Sequence, residues 1–210
     1  MAPSEATGAT WLTGPVAARV LLLRHAQSAW NAAGRWQGWA DPPLSDEGLE
    51  QAAAIGGHPA FDDVDRAVSS DLARAQQTAA AVATARGWPD VVTLRGLRER
   101  GAGEWTGLTR AEIEHGWPGA LSGPIVDIPG GEARGAVTAR AVAVLHRIAE
   151  RWPNQAVLAV SHGALIRLVE HYAGADQRIV PNLGGRWVTV EDGSLELGEA
   201  FSIDTLGSAV

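Results

Sequence analysis

The chain has 210 residues, 46% of them hydrophobic and 20% charged, with 24 acidic against 17 basic side chains and no cysteine. That length and balance suit one sizeable globular core and exclude disordered and fibrous classes. A formal charge of -7 argues against a broad footprint for nucleic acid or anionic lipid, and the lack of cysteine excludes disulfides, thiolate ligands and a cysteine nucleophile.

Residues 1–17 lack a basic start followed by a long apolar stretch, and nothing later reaches the roughly 20 apolar residues that span a bilayer. The expectation is a loose leader over 1–17, then a single domain over 18–210, in a cytoplasmic protein without a membrane partner. Strand-length apolar runs alternate with helical patterns from there on, which predicts an α/β three-layer sandwich with a mostly parallel central sheet flanked by helices. The first strand is 19–23 (RVLLL). A helix follows Ser45, which stands at an N-cap before DEGLEQAAAIGG. The second strand is 66–69 (RAVS), and a helix begins after Ser70. On that helix Leu72, Ala75, Ala79 and Val82 mark the core face, and Arg74 lies off it near the start.

A third strand is expected over 90–94 (DVVTL). Thr109 with Glu112 three residues on reads as a capping box. The stretch 116–134 (GWPGALSGPIVDIPGGEAR) is proline- and glycine-rich and long, so it is read as a cap or specificity loop. A helix over about 136–152 carries Val137, Ala141, Val144, Leu145 and Ile148 at helical spacing and is closed by Pro153. The strand 156–160 (AVLAV) leads into a last helix from His162 to Gly174. Two strands, 186–190 and 195–203, then flank Asp192-Gly193, a hairpin signal whose edges leave room for a homodimer.

Ligands of open α/β sheets bind at the carboxyl ends of the strands. The first strand ends in Arg24-His25, the second in Ser69-Ser70-Asp71 with Arg74 just beyond, and the fourth in Ser161-His162-Gly163. Each residue alone reads as structural or solvated, yet two histidines and two arginines at one edge make a local anion pocket in an acidic protein. Guanidinium groups at a helix N-terminus suit a phosphate, and cations around a histidine disfavour its protonation, leaving a neutral imidazole as nucleophile. The start of the Ser70 helix is expected to hold the anion.

The chain resembles the histidine phosphatase superfamily, also called phosphoglycerate mutase-like, through RHAQSAWN at 24–31, GRWQGWADPPLS at 34–45, SSDLARAQQTA at 69–79, LRERGAGEWTG at 97–107 and VSHG at 160–163. The resemblance implies that fold, and a metal-independent phosphatase with no cofactor that hydrolyses a small phosphomonoester through a phosphohistidine. It implies His25 as nucleophile, Arg24, Arg74 and His162 as the phosphoryl clamp, and Glu99 as proton donor, with Glu104 the competing carboxylate. Asn31, Gln37, Gly38, Ser28 and Gly163 are expected at the substrate. A proton donor at neutral pH needs an apolar wall, for which Trp105 or another tryptophan is the expected source. Ala26 stands where the family usually has glycine, which is harmless if its φ is negative, and Ala133 stands where a serine is common.

Two histidines and a glutamate could instead bind zinc, but arginines would sit beside the cation and no ligand pair shares a helix face. Two further functions fit the same residues: a phosphate-binding module without turnover, and a mutase. The segment GWAD at 38–41 is reminiscent of mutases, whereas only Arg134 is basic within 116–134, so a second phosphate finds no grip there. The nine tryptophans are read mainly as core, with an aromatic rim on the pocket as the functional reading beside it.

Overall fold

The computed structural model describes residues 17–122, 126–176 and 178–202. Residues 1–16 of the expected leader and Ile203 of the last expected strand lie outside them. Six strands form one sheet: β1 (Ala17–Arg24), β2 (Arg66–Ser69), β3 (Val92–Thr93), β4 (Ala156–Ser161), β5 (Gly185–Glu191) and β6 (Ser194–Phe201), in the spatial order β3-β2-β4-β1-β5-β6. β1, β2, β3 and β4 run parallel, while β5 pairs antiparallel with both β1 and β6.

Helices cover both faces of the sheet, which is why β4 (AVLAVS) is buried at every position and reads as a continuous apolar run. The two-residue period of β1 divides its leucines between the layers. Val20 and Leu22 join Val157, Ala159 and the core faces of α5 (Arg134–Arg151) and α6 (Gly163–Tyr172). Leu21 and Leu23 join Leu158, Val160 and the core faces of α2 (Asp46–Ile55) and α3 (Ala73–Arg86). This is the expected α/β three-layer sandwich. Each fully buried Leu or Val contributes about 1.5–3 kcal/mol, so these two clusters hold the sheet in place.

Local signals explain most element ends. Ser45 caps α2 by accepting from Gly48 N, and Thr109 with Glu112 forms the reciprocal box at the start of α4 (Arg110–Gly116). Gly174, at φ 87, follows the last turn of α6 as a left-handed stop. Asp192 and Gly193, at φ 46 and 80, make the tight turn of the β5/β6 hairpin. A four-residue helix, α1 (Ala29–Ala32), was not expected; Ser28 and Asn31 form its capping box.

Two boundaries depart from expectation. β3 shrinks to Val92–Thr93 because it is an edge strand that pairs with only two residues of β2. α3 begins at Ala73, not after Ser70: the Ser70 hydroxyl accepts from Leu72 N within the preceding turn, and Leu72 makes no side-chain cap. The first helical amide, Ala73 N, donates to the Asp41 carboxylate at 2.6 Å. No helix among the described residues is long and apolar enough to cross a membrane.

Candidate active site

The register of the central strands brings the chemistry together. Arg24 pairs with Ser161 across β1/β4, and Ser69 with Val160 across β2/β4, so the three strand ends finish side by side. His25 N donates to Ser161 O at 3.0 Å and Ser70 N to Val160 O at 2.9 Å, fixing the loops that leave the sheet. Beyond these ends opens a cavity of about 400 Å³, walled by Arg24, His25, Arg74, Glu99, Asn31, Gln37, Gly38 and Gly163 together with Trp36, Leu121 and Ile128.

His25 is buried and its ring is held on both sides. Nδ1 lies 2.6 Å from Ala26 O, an atom that can only accept, so Nδ1 carries the proton. Nε2 then holds the lone pair and accepts from Arg74 Nε at 3.2 Å. Burial first, then the charges of Arg74 and Arg24, push the imidazole well below its ordinary pKa, so the ring is neutral at physiological pH. Ala26 is buried, donates its N–H to Thr78 Oγ1, and has no positive φ, so the substitution of the usual glycine leaves the loop unstrained.

Arg74 is off the apolar face of α3, as expected, yet fully buried, with its fork turned into the cavity wall. Nη1 donates to Ala40 O at 2.8 Å and Nη2 to Gly38 O at 2.9 Å. Burial lowers its pKa to about 10, against the opposing pull of Glu99 and Asp41, which leaves it a cation at neutral pH. Gly38 cannot be replaced cheaply: its φ is 50, and an added Cβ would meet Ala102 N at 2.4 Å. Arg24 donates through Nη1 to Val180 O at 2.8 Å.

His162 is completely buried behind the wall, its ring 5.1 Å from that of His25 at 62°. Neither ring nitrogen has a hydrogen-bond partner among the described residues. Burial, then Arg74, His25 and Arg24, hold it neutral.

Glu99 presents its carboxylate to the cavity on two backbone donors, Arg100 N at 2.8 Å and Ala164 N at 3.4 Å. Glu104 is exposed and does not reach the cavity. Of the tryptophans expected near Glu99, Trp105 is instead buried edge-on against Trp36 and Trp117, in a small core with Ile113 and Leu121. The tryptophan beside Glu99 is Trp39, whose indole N–H donates to the Glu99 carbonyl at 2.7 Å.

The first amide of α3 is not free for an anion, although Arg74 in its first turn lines the cavity. The Asp41 carboxylate occupies the start of α3, and it is Gly163 and Ala164, at the start of α6, that line the cavity. Asn31 and Gln37 line it too, but their carbonyl oxygens are committed: Asn31 Oδ1 accepts from Ser28 N, and Gln37 Oε1 accepts from Ser28 Oγ at 2.8 Å. What they can offer a ligand is their amide N–H groups. Ser28 itself is buried outside the wall, engaged as the cap of α1.

Several positioning residues escaped sequence reading. Asn182 donates to His25 O at 2.8 Å and to Asn31 Oδ1 at 3.3 Å. Arg140 on α5 donates to the carbonyls of Gly96, Arg98 and Glu99, and its Nε and Nη2 grip the Glu132 carboxylate, so it carries the whole loop that presents Glu99. Asp71 forms a two-pronged ion pair with Arg98 in the same loop. Glu132, the partner of Arg140, ends the PGGE run at 129–132 of the proline- and glycine-rich stretch. No group of three or more His, Asp or Glu among the described residues is placed to hold a metal ion.

A neutral imidazole with its lone pair held against a guanidinium, at the end of a parallel sheet, is the arrangement of an enzyme that handles phosphoryl groups. The chain belongs to the histidine phosphatase superfamily (branch 1), whose model matches residues 20–190. It is a metal-independent phosphomonoesterase of the phosphohistidine type, acting on a small phosphomonoester. It is similar to the metal-independent phosphoserine phosphatase of Arabidopsis thaliana, 35% identical over 71% of this chain and 66% of the relative. It is also similar to the glucosyl-3-phosphoglycerate phosphatase of Mycobacterium tuberculosis, 38% identical over 71% of this chain and 72% of that one. Among solved structures, a mycobacterial glucosyl-3-phosphoglycerate phosphatase bound to VO3 superposes with a TM-score of 0.75 at 29% identity, covering 86% of this chain and 96% of that one.

Proposed function

We propose that His25 Nε2 attacks the phosphorus of the substrate in line with the departing oxygen. The N–P bond forms as the P–O bond breaks, and Glu99 delivers its proton to the leaving oxygen, which departs as an alcohol. Glu99 then takes a proton from water, the oxygen of that water attacks phosphorus, and the N–P bond breaks to release inorganic phosphate and the free imidazole. Arg74 shifts its Nε–H from the imidazole to a phosphoryl oxygen as Nε2 becomes committed, and Arg24, His162 and the first amides of α6 stabilise the remaining oxygens. Charge comes from fixed guanidinium groups, so the chain's own residues suffice for this step without a cofactor.

One observation carries the assignment of the nucleophile: Ala26 O fixes the proton on Nδ1, which leaves the lone pair on the nitrogen that faces Arg74 and the cavity. The similarity to phosphatases named for phosphoserine and glucosyl-3-phosphoglycerate supports a small-molecule ester. In this reading the protein is one domain over 18–210, acts in the cytoplasm without nucleic acid as a partner, and uses 116–134 to shape the leaving-group side of the cavity, where Leu121 and Ile128 already form the wall. Self-pairing through β6 is disfavoured by the exposed Glu196 and Glu199 on that edge strand, so a homodimer would use another face.

Phosphate release from an aryl phosphate, measured for the wild type and His25→Ala, tests the reading. Release abolished by the substitution supports it; equal release from both proteins contradicts it. Incubation with 3-phosphoglycerate and a bisphosphorylated primer separates hydrolysis from mutase transfer, because a mutase yields the isomer without free phosphate.

A further inference from the structure

One charged group lies deep in the core where the local pattern calls for an apolar residue. Along α6 the buried face runs Leu165, Ile166, Leu168, Val169 and then Glu170, which is 1% exposed. A single oxygen of its carboxylate, Oε1, accepts from Arg178 Nη2 at 2.8 Å, Arg178 Nε at 3.0 Å and Arg186 Nε at 2.7 Å. Arg178 Nη2 also donates to Gly185 O, and Arg186 Nη1 to Gly198 O. One carboxylate thus ties α6 to β5, to β6 and to the segment 178–184 that leads into β5. Its other oxygen, Oε2, is buried without a partner among the described residues.

The segment 178–184 has no helix or strand of its own, yet it holds both residues at the end of β1. Val180 O accepts from Arg24 Nη1 at 2.8 Å and Gly184 O from Arg24 N at 2.8 Å, while Leu183 N donates to Arg24 O at 3.1 Å and Asn182 Nδ2 to His25 O at 2.8 Å. The backbone is strained amid these contacts: Leu183, fully buried, stands at φ 55, which a bulky side chain rarely adopts. Such strain persists only where the surroundings over-determine it. A buried ion pair is a poor source of stability, since apolar side chains of similar volume serve as well or better, so a charge kept at 170 argues for a role in geometry.

Building on the phosphatase reading above, we propose that Glu170 is a positioning residue for the phosphoryl transfer. Its carboxylate grips Arg178 and through it pins 178–184 against the end of β1, which fixes the fork of Arg24 and the backbone of His25 for in-line attack. Glu170 does not line the cavity and touches neither substrate nor reacting atoms. It acts through Arg178 and the segment that Arg178 anchors.

The test measures kcat on p-nitrophenyl phosphate for Glu170→Gln and Arg178→Gln, at a temperature where circular dichroism shows each variant fully folded. The expected result is a kcat about 10–10²-fold below wild type in both, the size of loss that a small misplacement of reacting groups produces. An ion pair that served stability alone would lower the melting temperature and leave kcat of the folded protein unchanged. A double-mutant cycle with Asn182→Ala locates the effect: with the link to His25 already cut, Glu170→Gln or Arg178→Gln should cost severalfold less than in the wild type. The Arg178 side chain is 26% exposed, so its substitution decides the matter should Glu170→Gln fail to fold. Folded variants within threefold of wild type, or losses that multiply in full with that of Asn182→Ala, would overturn this inference alone. Wild-type turnover that survives His25→Ala unchanged would remove the phosphatase reading and this inference with it.

Discussion

Arg74 Nε points at His25 Nε2 from 3.2 Å while the opposite ring nitrogen of His25 is pinned to the Ala26 carbonyl. A cation therefore guards the lone pair, and the proton sits on the far side of the ring. Nitrogen NMR of the histidines should find His25 as the Nδ1–H tautomer and still neutral at pH 6. A ring protonated on both nitrogens at that pH, or carrying its proton on Nε2, would contradict this geometry.

Stability should follow the same two rings. His25 and His162 are depressed well below 6.5, so on acidification the unfolded chain binds protons before the folded protein does. Stability is then fully present above about pH 6.5 and is lost as pH falls toward the folded pKa values, with a slope approaching roughly 2–3 kcal/mol per pH unit for two rings. Urea unfolding at pH 7.5 and 5.5 measures it. A flat profile would mean that the rings titrate normally in the folded protein.

Arg74→Lys keeps the charge and loses the fork. A lysine cannot reach Gly38 O, Ala40 O and the imidazole together, so kcat should fall by about 10²–10³-fold, as when a fixed transition-state donor is removed. Steady-state rates on one ester settle the point; a variant within threefold of wild type would show that charge alone is enough.

Glu99→Gln should discriminate between leaving groups. An alkyl alkoxide needs a proton as it departs and an aryl oxide far less, so the substitution should cost about 10²–10⁴-fold on an alkyl phosphate and clearly less on p-nitrophenyl phosphate. Glu104→Gln should leave both rates near wild type, since Glu104 is exposed and outside the cavity. Equal losses on the two esters would remove Glu99 from the role of proton donor.

Arg140→Gln should loosen the loop that carries Glu99. Three backbone carbonyls and the Glu132 carboxylate would lose their donor, for a stability loss of about 2–4 kcal/mol. The rate on alkyl esters should fall more than on aryl esters, as for Glu99→Gln, because the proton donor is misplaced; a purely structural role would lower both alike.

Much of this was legible in the sequence because the signals are local. The strand 66–69 is β2 to the residue, since its apolar run is bounded by Asp65 and the Ser69-Ser70 turn, and the capping box at Thr109 and Glu112 lies within one helical turn. The linked motifs ordered the strand ends correctly. What failed to show was long-range. Asp41 takes the first amide of α3 from 32 residues away, so that amide is not open to a ligand. Arg140 reaches Glu99 from 41 residues away, and Asn182 reaches His25 from 157. Trp105 lies six residues after Glu99 in the chain yet packs into a separate small core with Ile113 and Leu121, the loop between them turning at Gly103.

The most direct test of the nucleophile is rapid acid-free quenching of enzyme with substrate, followed by mass spectrometry of the acid-labile phosphopeptide. A single phosphoryl group on the peptide bearing His25, formed within the first turnover and absent from His25→Ala, is the expected result. Phosphate released at full rate with no adduct on His25, or an adduct on His162 in its place, would contradict it.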